Sequence, residues 1–127
     1  MSVLDAQIAD LSTRYPGVEA ARLASGTTMI TVPGVRLPNG WSKDRTAIRF
    51  LVPPAYPYAA LDCFWADEDL RLAGNRVPAN SSADNPIPEV GAKGLWFSWH
   101  LAQSWNPNRD SLSTWMNSVN DRLRRLQ

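Results

Sequence analysis

Leu4, Ile8 and Leu11 recur at helical spacing, with Asp5, Gln7 and Asp10 between them, and predict an amphipathic helix over residues 3–14. Tyr15-Pro16-Gly17 ends it, because the residue before a proline is driven out of the helical region. Three runs of β type follow, at 18–23, 27–32 and 46–52. Ser25-Gly26 suits a hairpin turn between the first two. Pro33-Gly34 and Pro38-Asn39-Gly40 punctuate the longer connection to the third.

A proline-rich crossing at 53–58, PPAYPY, leads into Leu61 to Ala66, which reads as a buried fourth strand. Residues 67–93 are rich in Asp, Asn and Pro and show little periodicity. They predict a long loop of the kind compact domains keep for function. The stretch 94–105, GLWFSWHLAQSW, is apolar and rich in tryptophan, and Asn106-Pro107-Asn108 breaks the chain after it. Asp110 is the expected N-cap of a last helix whose apolar stripe is Leu112, Trp115, Met116, Val119 and Leu123. Strands grouped between two helices indicate an α+β fold, with helices packed on an antiparallel sheet.

Composition narrows the functional classes. With 127 residues, 44% of them hydrophobic and 20% charged, the chain reads as one globular domain over 1–127 that buries its own core. A net charge of +1 lacks the basic footprint of a nucleic-acid binder, and the Arg122, Arg124, Arg125 tail reads as a solvated helix end. A single cysteine, Cys63, and a single histidine, His100, exclude an internal disulfide framework and a multi-histidine metal centre. No cofactor is implied. The first residues, MSVLDAQIADL, place acids inside the apolar stretch and so do not read as a signal peptide. No apolar run approaches membrane-spanning length, so a cytoplasmic protein without membrane contact is expected.

The segment FLVPPAYPYAALDCFW at 50–65 resembles the third-strand, Tyr-Pro and fourth-strand region of the ubiquitin-conjugating fold, with Tyr56-Pro57 as its Tyr-Pro pair. Trp105-Asn106-Pro107 before the last helix resembles that fold's Trp-x-Pro. The WFSWH block at 96–100 is similar to the prokaryotic conjugating-enzyme-like family E. The resemblance covers nearly the whole chain and implies an N-terminal helix, a four-stranded antiparallel meander, a long loop and a C-terminal helix. It further implies a bacterial ubiquitin-like modification system, with a ubiquitin-like modifier and an activating-enzyme homologue as partners. The sequence also departs from the pattern. Asp67-Glu68-Asp69-Leu70 stands where His-Pro-Asn is expected, which leaves Asn75, Asn80 and Asn85 as replacements for the oxyanion-stabilising asparagine. No cysteine occupies the reactive position, which by the family's spacing back from Trp105 falls near Phe97-Ser98.

Acyl transfer needs a nucleophile, a base for its proton and donors for the developing oxyanion. Ser98 and His100 are the candidates: a hydroxyl requires a base near neutrality, and residues two apart in an extended segment share a face. On a helix they would point apart. The same pair also reads as local packing among tryptophans. Cys63 alternates with Leu61 and Trp65 and reads as a small buried hydrophobe on one strand face. Asp67, Glu68 and Asp69 read as a solvated turn, Trp115 as core, and Trp105 as the closure of a sheet edge. One of Trp96 and Trp99 is expected to be exposed, as a partner surface or a lid. Two functions follow: a conjugating enzyme that carries the modifier as a serine oxyester, or a conjugating-type module that binds a pathway protein without acyl chemistry.

Overall fold

The computed structural model describes residues 2–127. Helix α1 spans Val3–Arg14, as its periodicity predicts. A capping box starts it: the Ser2 hydroxyl accepts the Asp5 N–H, and the Asp5 carboxylate accepts the Ser2 N–H. Then come β1 (Glu19–Arg22), β2 (Thr28–Arg36), β3 (Arg45–Val52), β4 (Phe64–Ala66), β5 (Ser81–Pro86), β6 (Lys93–Phe97) and α2 (Leu112–Leu123).

The sheet therefore has six strands where four were expected, in the order β1-β2-β3-β4-β6-β5, and every neighbouring pair is antiparallel. Both additional strands lie beyond the fourth. The presumed loop supplies β5, and the tryptophan-rich stretch supplies β6. The β5 strand is an edge that pairs through its backbone, and its residues SSADNP carry none of the apolar alternation that marks a half-buried strand. Pro33-Gly34 does not end β2. A register irregularity between Val32 and Val35 absorbs the pair, and pairing to β3 continues to Arg36.

The core lies between one face of the sheet and the helices. Ile30 and Val32 of β2, Ile48 and Phe50 of β3, and Phe64 of β4 meet Trp115, Met116 and Val119 of α2, all buried. Phe50 and Trp115 meet edge to face with centroids 6.2 Å apart, and Phe64 stacks on Phe97 at 4.7 Å. Close approach of β4 and β6 depends on Gly94, where a Cβ would lie 2.8 Å from the Ala66 carbonyl oxygen. Among the described residues no helix is long and apolar enough to cross a membrane.

Two expected features of the last helix need correction. Its N-cap is Ser111, whose hydroxyl accepts the Thr114 N–H while the Thr114 hydroxyl accepts the Ser111 N–H. Asp110, one residue earlier, instead closes the preceding loop: its carboxylate accepts the Asn106 N–H at 2.9 Å and pairs with Arg109 at 3.0 Å. At the other end, Arg122 is not solvated but 2% exposed.

Candidate active site

The β6 strand carries Phe97 into the core and then leaves the sheet. Trp99 stays turned into the fold. Its indole N–H donates to the Ser118 hydroxyl at 2.9 Å and carbonyl at 3.1 Å, and the Arg125 guanidinium lies 5.2 Å above its ring. The Trp99 carbonyl accepts the Cys63 N–H at 2.8 Å. Residues 98–100 follow β6 outside any helix or strand; Trp99 is half-buried, while Ser98 and His100 on either side of it are exposed. They line one cleft of about 450 Å³ together with Asn80, Ser118, Arg122 and Arg125. His100 also borders a second cleft of about 330 Å³ beside Leu61, Leu101 and Trp105. Among the described residues no hydrogen bond joins the Ser98 hydroxyl to the His100 imidazole. The structure shows a shared cleft, not a formed dyad.

Sequence reasoning missed Arg122, which takes part in the wall of this cleft. Its guanidinium donates to the main-chain oxygens of Ala79 (2.8 Å), Gln127 (2.9 Å) and Arg125 (3.0 Å), and its Cζ lies 5.1 Å from the centre of the Phe97 ring. Burial, with the neighbouring Arg125 charge as the lesser cause, lowers its pKa below the usual arginine value. The signal was present in the pattern. Position 122 follows Val119 by three and Trp115 by seven, so it falls on the apolar stripe itself.

The fold and this cleft stand beside one result of comparison. Residues 7–126, nearly the whole chain, match the family model described as prokaryotic E2 family E. The chain belongs to that family. Comparison with curated proteins gives no significant match, and comparison with solved structures gives none either.

This member of prokaryotic E2 family E keeps its lone thiol close to the cleft but in a different setting. Cys63 is not on a strand face with Leu61 and Trp65. It stands at φ 65 just before β4 begins, half-buried, because the chain must turn there before pairing with β6. Its sulfur lies 3.3 Å from the Asp62 carboxylate, and burial, then that carboxylate, raise its pKa above the ordinary thiol value. Of the three candidate asparagines only Asn80 lines the Ser98 cleft, and its carbonyl accepts the Ser98 N–H at 2.8 Å. Asn85 accepts the Trp65 indole N–H at 3.2 Å, and Asn75 is not among the residues lining the cleft.

The remaining expectations resolve into structural parts of this family member. Glu68 and Asp69 form an exposed turn, as expected, and Lys43 pairs with Asp67 and Asp69 at 2.8 and 3.0 Å. Trp105 does not close a sheet edge. It donates to the Pro57 carbonyl at 2.7 Å and packs on Tyr56, which ties the 98–111 connection to the Tyr56-Pro57 crossing. Neither Trp96 nor Trp99 is exposed; both are half-buried. Trp115 is core, as expected. Among the described residues no group of three or more His, Cys, Asp and Glu side chains comes together in a metal-holding arrangement.

Proposed function

We propose that this chain is a conjugating enzyme of a bacterial ubiquitin-like modification system, carrying the modifier's carboxyl terminus as an ester on Ser98. The observation that supports this is the placement of Ser98 and His100. Both are exposed on either side of Trp99, and both line one cleft near the position where the family resemblance puts the reactive residue. The Ser98 Oγ attacks the carbonyl carbon of a modifier activated by a partner enzyme, His100 takes the hydroxyl proton, and the partner's leaving group departs. An amine of the target then attacks the ester, an amide forms, and the Ser98 hydroxyl is regenerated. In this reading Asn80, which lines the same cleft, supplies the oxyanion donor.

The second reading is a binding module that docks the modifier or a pathway enzyme without acyl chemistry. The absence of a Ser98–His100 hydrogen bond among the described residues favours it. One experiment separates the two. Incubated with the modifier, the activating enzyme and nucleotide, the chain should form an adduct that resists thiol reductant and yields to hydroxylamine. Ser98→Ala should abolish that adduct, and His100→Ala should slow its formation by about 10²–10⁴-fold. Absence of any adduct, with modifier binding unchanged by Ser98→Ala, would establish the binding module instead.

A further inference from the structure

We infer that Arg122 is the positioning residue that holds Ser98 in the cleft, an inference that rests on reading Ser98 as the acyl carrier. The Ser98 N–H donates to the Asn80 carbonyl, and this is the bond that fixes the hydroxyl-bearing residue once β6 has ended. Arg122 grips both sides of that bond. Its Nη2 donates to Ala79, the residue before Asn80, and its guanidinium lies over the ring of Phe97, the residue before Ser98. Nη2 donates also to Gln127, and Nη1 donates to Arg125, so the segment after α2 is drawn onto the same point.

The chemistry of the side chain matters here. Asn80 stands at φ 57, a left-handed conformation, in a turn that Ser81 closes by donating to the Pro78 carbonyl. Among the described residues no Asp or Glu side chain pairs with Arg122, so its buried guanidinium is held by main-chain oxygens and an aromatic face. A planar fork reaches these separate acceptors at fixed angles, whereas a lysine ammonium on a flexible stem does not. Simple filling of the space would be met as well by an unbranched apolar side chain.

The test compares Arg122→Lys and Arg122→Met with the wild-type chain by amide exchange and by adduct formation. Both variants should keep the Leu95 amide inside β6 protected, while the Ser98 amide exchanges at least about tenfold faster. With cognate partners, the adduct rate at saturating modifier should fall by about 10²-fold while the half-saturating concentration stays unchanged, as misplacement of a reacting group requires. Should the methionine variant fail to fold, the lysine variant decides alone. Wild-type rate and Ser98 protection in Arg122→Lys would overturn the inference, since charge alone would then suffice. Equal loss of protection at Leu95 and Ser98 would overturn it too, by showing general support of the fold. If the wild type forms no adduct, the acyl-carrier reading fails, and amide exchange still decides whether Arg122 holds Ser98.

Discussion

The Cys63 thiol and the Ser98 hydroxyl sit on adjoining stretches of backbone, linked through the Cys63 N–H to the Trp99 carbonyl. Their surroundings assign them different chemistry. Reactivity of a thiol follows its thiolate fraction, and burial together with the Asp62 carboxylate holds the Cys63 proton on. Ser98 is exposed in a cleft whose lining includes the charged side chains of Asp121, Arg122 and Arg125. Native Cys63 should therefore alkylate slowly at neutral pH and faster only as pH passes above the ordinary thiol range. Cys63→Ala should leave any adduct intact. Rapid alkylation at neutral pH, joined to loss of the adduct in Cys63→Ala, would return the chemistry to a thioester. The residues of the cleft were legible to different degrees. Ser98 and His100 are marked by a two-residue spacing beside Trp99, whereas Asn80 lies distant in sequence and meets Ser98 only through β5–β6 pairing.

At the scale of elements, the start of α2 shows what local pattern can and cannot resolve. An Asp-Ser pair before an apolar stripe announces an N-cap to within one residue, and both residue types cap well. Tertiary demand made the choice: the Asp110 carboxylate is taken by the Asn106 N–H and Arg109, which leaves Ser111 to cap. Ser111→Ala should cost about 1 kcal/mol and lower the melting temperature by a few degrees, while Asp110→Asn should loosen the loop at 106–110. The Asp110 pKa is lowered, chiefly by its hydrogen bond to Arg109. A group whose folded pKa is depressed contributes stability above its unfolded value and loses it as pH falls through the folded value. The stability gap between the wild type and Asp110→Asn should accordingly narrow on acidification below the ordinary carboxylate range. A gap that stays constant there would mean the carboxylate charge contributes nothing. The same contrast separates the strands. The alternation of β3, which buries Thr46, Ile48, Phe50 and Val52 and leaves the residues between them half-buried, is written in the sequence, whereas β5 is held by backbone pairing to β6 and leaves no hydrophobic trace.

Across the whole molecule the sheet brings together corners that its topology holds apart. The β1–β2 turn lies at the Val52 end of β3 and the β5–β6 turn at the Arg45 end, on opposite edges of six strands. Strand spacing alone would separate those edges by about 24 Å in a flat sheet. Yet the Glu89 carboxylate, in the β5–β6 turn, accepts the Ser25 hydroxyl at 2.6 Å and the Ser25 N–H at 3.1 Å. Twist and curl of the sheet bring the two turns together. Two residues near the β5–β6 hairpin are buried outside the main core cluster. Trp65, which alternates away from the core positions Phe64 and Ala66, is only 6% exposed and donates to Asn85 of β5; Ile87, in the turn, is 2% exposed and lies outside the main core cluster. A contact between residues 64 apart, made by an ordinary glutamate and serine, has no signature that a sequence pattern could carry. Glu89→Ala should release the corner without unfolding the protein. Amide exchange should quicken at Ser25 and Ile87, and the Trp65 environment should become more polar, with the amides of α2 and of Leu95 unaffected. Global stability should change by less than about 1 kcal/mol, because both partners are exposed and the pair is local to one corner. Unchanged exchange at Ser25 in this variant would show that the two corners are not joined in solution.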